Sequence, residues 1–152
     1  MAEAKTGPQT ALRIERTLRA APQKVFEAWT QAEALTRWFA PSGEFTVHIS
    51  ELDVRVGGRY RIEMRHVSGR VHTATGRYLE VVPARRLAFT WGWVEDAVGG
   101  DGRVTVELTP ECGETRLVLV HENLPDADSK EKHAQGWNGC LDQLANKLQP
   151  TS

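Results

Sequence analysis

The sequence predicts an α+β domain in which a curved antiparallel sheet wraps a long C-terminal helix. Three observations carry this reading. From Phe45 to His121 apolar and polar residues alternate in short runs broken by turn residues, as in antiparallel strands joined by hairpins. From Asp128 to Leu148 the apolar residues recur at helical spacing. A sheet with one apolar face needs a cover, and the last helix can supply it.

Residues 1–10 are small and polar and are expected to form a flexible terminus, which leaves 11–149 as one domain. Leu12 to Ala20 reads as a strand, with Leu12, Ile14 and Leu18 on one face and Arg13, Glu15, Thr17 and Arg19 on the other. Arg16 shares the apolar parity, so it either snorkels at an edge or reaches towards an interior site. Pro22 opens a short helix, PQKVFEAWT, with Val25, Phe26 and Trp29 as its stripe. A second short helix, Gln31 to Phe39, carries Leu35, Trp38 and Phe39 and stops before the Pro41-Ser42-Gly43 loop. The Trp38-Phe39 pair is a candidate pocket rim, with plain core as the competing reading.

The β region divides at its turns. Phe45 to Val54 is followed by Asp53-Val54-Arg55-Val56-Gly57-Gly58, whose glycines can supply positive φ. Arg59 to Val67 alternates strictly, with Tyr60, Ile62, Met64 and His66 on one face. Val71 to Val82 is interrupted by Gly76, which predicts a bulge or bend in a curved sheet. After the Pro83–Arg86 turn, Leu87, Phe89, Trp91 and Trp93 form one face of the next strand. A loop containing Gly99, Gly100 and Gly102 leads to Val104, Val106 and Leu108. The turn Pro110 to Glu114 leads to Leu117, Leu119 and His121.

The last helix places His133, Trp137, Cys140, Leu141, Leu144 and Leu148 on one face. Asp128 and Glu131 predict a capping box, and Pro150 predicts the stop. At 1.5 Å per residue the helix is roughly 30 Å long. Gly136 and Gly139 lie inside it, each costing about 1 kcal/mol against alanine. Either the backbone packs tightly on the sheet there, or a space is kept open.

A chain of 152 residues suits one domain with a core of its own. With 19 basic and 20 acidic residues, the formal net charge is −1, which offers no electrostatic case for nucleic acid or an anionic membrane. No apolar run approaches 18 residues, and the expected compartment is the cytoplasm. Cys112 and Cys140 are isolated thiols without CxxC spacing, so neither a disulfide framework nor a zinc site is expected.

A series of loose motifs then gives a resemblance. Ala21-Pro22 is followed by Val25-Phe26, Ala28-Trp29, Leu35, Trp38-Phe39 and Pro41. Asp53-x-Arg55-x-Gly57-Gly58 comes next, then Gly76-x-Tyr78-x-Glu80-Val81 with Pro83, Arg86-Leu87 and Thr90-Trp91. Thr115-Arg116-Leu117 to His121 and His133 with Gly136-Trp137 and Leu141 complete it. Taken in order from about Leu12 to Leu148, these resemble the helix-grip fold of the START and pollen-allergen-like superfamily, SRPBCC. Within it the chain is most similar to the family named after the activator of heat shock protein 90 ATPase, C-terminal-domain-like. The resemblance implies a cavity between the curved sheet and the last helix but no single reaction, since fold does not determine function.

If the parities hold, Met64, His66, Tyr78, Trp91 and Trp93 face His133, Trp137, Cys140 and Leu141, with Trp38 and Phe39 closing the mouth. An aromatic concavity with a few polar tips suits a small hydrophobic or aromatic ligand, against the reading that these side chains simply fill the core. The expected ligand-binding set is Trp38, Phe39, Met64, His66, Tyr78, Trp91, Trp93, His133, Trp137 and Leu141. No metal or cofactor is expected, because the histidines lack ligand spacing. A two-residue loop at Ser68-Gly69 would put His66 and His72 on opposite faces; a three-residue loop would put them on the same face. No GxSxG, phosphate loop or paired interior carboxylate is present. Two other readings stand beside the carrier. One is a cyclase or dehydratase using His66, Tyr78 or His133 as acid-base groups; the other is a module that serves a chaperone or forms a homodimer.

Overall fold

A computed structural model describes residues 11–40, 42–94, 102–124 and 127–148. In chain order the elements are β1 (Leu12–Leu18), α1 (Pro22–Thr30), α2 (Ala32–Trp38), β2 (Phe45–Leu52), β3 (Arg59–His66), β4 (Val71–Val82), β5 (Arg86–Trp93), β6 (Gly102–Glu111), β7 (Glu114–Glu122) and α3 (Ala127–Lys147). The seven strands form one antiparallel sheet in the order β1-β7-β6-β5-β4-β3-β2. Every strand after the first is paired by a short hairpin to its neighbour in sequence. The first strand closes the far edge against β7, and the two short helices carry the chain from one edge to the other. This is the α+β helix-grip arrangement that the alternation and the last helix predict.

The hairpins follow from backbone chemistry. Glu111 pairs with Glu114 across Cys112 and Gly113, and both central residues have positive φ. That is the two-residue turn whose twist matches the strands it joins. Between β3 and β4, Met64 pairs with His72 and the His66 N–H reaches the Arg70 carbonyl, leaving a three-residue loop. His66 and His72 therefore share a face.

The bulge expected at Gly76 lies further along β4, between Tyr78 and Glu80, and Gly76 itself answers to crowding. A Cβ on Gly76 would lie 2.1 Å from the Thr90 carbonyl oxygen, which no side chain can occupy. Tyr60, the cross-strand partner of Gly76, sends its hydroxyl to that carbonyl at 2.6 Å. The register with β5 shifts just beyond, between Tyr78 and Glu80. The sheet thus coils at β4, as an extra residue in one strand requires.

Two expectations need correction. Gly102 begins β6 rather than lying in the loop, and it pairs with Trp91. A Cβ there would meet the Trp91 carbonyl at 2.8 Å, so this glycine permits close pairing. Asp128 lies inside α3 rather than at its N-cap, and its carboxylate pairs with Lys132 at 3.2 Å. Arg16 spans from the edge strand β1 to α3, bonding Asp142 at 2.8 Å and the Asn138 side chain at 3.0 Å. The residues expected to form the flexible terminus, Pro41, Gly99, Gly100 and Pro150 lie outside the described residues.

The core lies between the concave face of the sheet and the helices. Leu141 and Leu144 of α3 are fully buried there with Leu117 and Leu119 of β7, Val25 of α1 and Leu35 of α2. Burying one such side chain contributes roughly 1.5–3 kcal/mol. Gln143 ties α3 to the end of α2 through the Ala40 carbonyl at 2.9 Å.

Candidate functional site

The inner side chains do not fill all the space between sheet and helix. Towards the N-terminal half of α3 a cavity of about 540 Å³ remains. One wall is α3, whose Lys132, His133, Gly136, Trp137 and Cys140 line it. The last four follow the i, i+3, i+4, i+7 row from His133, one face of the helix, and Lys132 flanks that row. The opposite wall comes from the sheet, with Met64 of β3, His72 of β4, and Trp91 and Trp93 of β5. Phe39, after α2, and Phe45, at the start of β2, complete it.

Gly136 explains part of the opening. A Cβ built there meets nothing within 4 Å, so the glycine faces empty space rather than a tight helix-sheet contact. Of the two readings of this residue, the structure selects the space kept open.

The expected residues divide by position. Phe39, Met64, Trp91, Trp93, His133 and Trp137 line the cavity. Trp38 is buried behind it and donates its indole N–H to the Ala28 carbonyl at 2.9 Å. His66 shares the concave parity but lies past the cavity's end, stacked on Phe45 at 4.9 Å and bonded to Ser68 and Glu44. Tyr78 packs at the other end of the sheet against Tyr60 and Phe89. Leu141 is one residue out of phase with the lining row and packs in the core. Phe45, His72, Lys132, Gly136 and Cys140 join the lining without having been expected in the set.

All five tryptophans stand in one continuous stack. Ring centres are 4.8 Å apart from Trp38 to Trp29, 6.1 Å to Trp137, 5.1 Å to Trp91 and 5.2 Å to Trp93. Most of these pairs are tilted or edge-on, the favoured geometries for aromatic contacts. The last three rings form cavity wall; the first two lie behind it.

Two histidines are held by tryptophan N–H groups. The Trp137 indole donates to His121 Nδ1 at 3.0 Å, and the Trp93 indole donates to His133 Nε2 at 3.3 Å. An indole N–H can only donate, so each of these ring nitrogens accepts. His133 Nδ1 then donates to the Ser129 carbonyl at 2.8 Å, which sets its tautomer. His121 must carry its proton on Nε2, which is buried and has no partner among the described residues. Burial, with His133 beside it at 4.8 Å between ring centres, holds the His121 pKa down to about 3. Burial also pushes the Cys140 thiol up to about 12, which keeps it a neutral apolar group.

The arrangement offers an apolar, aromatic chamber with one cation, two imidazoles and an indole N–H at its polar end. No carboxylate is among its described lining residues. Of the three acid-base candidates, only His133 reaches it. Among the described residues no three His, Cys, Asp or Glu side chains are placed to hold a metal ion. No helix of the described residues is long and apolar enough to cross a membrane.

The comparisons with known proteins agree with this architecture. A crystal structure of a Chromobacterium violaceum protein is 36% identical, covers 93% of this chain and 99% of its own, and superposes with a TM-score of 0.86. The AHSA1 protein from Silicibacter pomeroyi is 30% identical over 91% of this chain and 96% of its own, with a TM-score of 0.78. A Mycobacterium smegmatis protein at 16% identity, with a TM-score of 0.79 over 95% of this chain and 93% of its own, shares the fold. No curated protein matches the sequence. The family model described as Activator of Hsp90 ATPase homolog 1-like protein matches residues 19–149, nearly all of the sheet and all three helices, and the chain belongs to that family.

Proposed function

We propose that this protein holds a small hydrophobic or aromatic molecule, without covalent attachment, in the cavity between the sheet and α3. One observation carries the reading. The interior is closely packed at the Tyr60–Tyr78 end, where the remaining space is about 10 Å³, yet about 540 Å³ stays open beside Trp93 and Trp137. That is the size of a site for a drug-sized molecule, and its walls are mainly aromatic. A core selected only for stability would fill such a space, since cavities cost stability.

The ligand contacts in this proposal are Phe39, Met64, Trp91, Trp93, His133 and Trp137, with Phe45 and Cys140 completing the apolar wall. His133 and Trp93, bonded to one another, form the polar part of this wall. A cytoplasmic setting accompanies the reading, supported by Cys112 and Cys140 standing as free thiols. The test is a tryptophan-fluorescence titration with flavonoid-like, steroid-like and fatty-acid-like compounds, paired with thermal unfolding. Binding should change the emission and raise the unfolding temperature by mass action. If no compound binds below millimolar concentration, the carrier reading fails.

A further inference from the structure

We propose that the molecule held in this cavity is an organic monoanion, an apolar and largely aromatic body whose single carboxylate or sulfonate group rests against Lys132. The proposal rests on the cavity reading above and adds the charge of the ligand to it. Lys132 is the only cationic side chain among the described lining residues, and no Asp or Glu stands among them. Among the described residues its one ion-pair partner is Asp128, a helical turn back at 3.2 Å, with both side chains 75% exposed. Pairs of that kind contribute little, so the ammonium can turn to a better partner. An anion at the mouth would meet the ammonium while its apolar body lies against the aromatic wall. A cationic ligand would instead meet Lys132 as a like charge.

Two fluorescent probes separate this idea from the one beneath it. 8-Anilinonaphthalene-1-sulfonate and N-phenyl-1-naphthylamine share one ring frame, and only the first carries an anion. Both are titrated into the folded protein and into its Lys132→Met and Lys132→Arg variants at low salt. The sulfonate should bind Lys132→Met about tenfold more weakly than wild type and recover in Lys132→Arg. The uncharged probe should change less than twofold throughout. Added salt should weaken the sulfonate alone, because it screens the exposed charge. If both probes bind and neither depends on Lys132, or both weaken equally, the anion proposal is overturned while the cavity reading stands. If neither probe binds wild type, both fall.

Discussion

Trp137 donates its indole N–H to Nδ1 of His121 at 3.0 Å, joining the cavity wall to an imidazole with no exposure to solvent. The bond requires His121 to be neutral, because a protonated ring has no lone pair to accept with.

Stability should therefore fall with acid before the carboxylates titrate. Burial first, and then His133, hold the folded pKa of His121 near 3 against 6.5 for a free imidazole. Between those values the unfolded chain binds a proton that the folded chain refuses. The stability carried by the neutral ring is complete above pH 6.5 and is lost as pH falls towards 3. At 1.36 kcal/mol per pH unit the full effect is on the order of 5 kcal/mol. Urea midpoints measured from pH 7.5 to 5 should slope downward in wild type. They should flatten in His121→Asn, whose amide oxygen can still accept from Trp137. Parallel slopes in the two proteins would show that His121 is not responsible.

Two glycine-to-alanine changes should have opposite signs. At Gly136 the new methyl enters open space, so the variant gains about 1 kcal/mol of helix propensity and still folds. At Gly76 the methyl would lie 2.1 Å from a backbone oxygen, so the loss should reach or exceed the ~3 kcal/mol upper end of ordinary overpacking. Thermal unfolding of both variants is the measurement. Gly136→Leu should also fold while losing cavity ligands, and retained binding would place Gly136 off the cavity.

Trp137 and Trp29 offer a contrast within one stack. Trp29 lies behind Trp137 at 6.1 Å and is no part of the cavity wall. Each alanine variant should lose about 3–5 kcal/mol of stability. Affinity of the folded fraction should fall tenfold or more only in Trp137→Ala. Equal losses of affinity would contradict the assignment of Trp137 to the wall.

The cysteines should differ in reactivity. Cys112 is exposed in the β6–β7 turn, whereas Cys140 is buried with its thiol pKa pushed up to about 12. The thiolate is the reactive form. Iodoacetamide at pH 7.5 should add one label to the native protein and two after denaturation, as read by intact mass. Rapid double labelling of the native state would show that the cavity floor opens to solvent.

Strand parity was legible because each inner face is written in the sequence as a run of alternating residues. Tyr60, Ile62 and Met64 show it, as do Leu117, Leu119 and His121. The position of a residue along an inner face was not. Tyr78 and His66 have the correct parity, yet the length of the sheet carries them to either side of the cavity. His72 depended on one residue of loop length, which alternation leaves open. Cys140 and Gly136 could have been chosen over Leu141 by taking the helical row strictly from His133. Lys132 could not, since a lysine beside an apolar row reads as solvated surface until the opposite wall is known.

The tryptophan stack has a photophysical consequence. Indoles separated by 4.8 to 6.1 Å pass excitation between them faster than they emit it. Light absorbed at Trp38, deep behind the cavity, can therefore migrate to Trp93 at its polar end. A molecule that quenches Trp93 would therefore also dim its neighbours, so the five rings report on the cavity together.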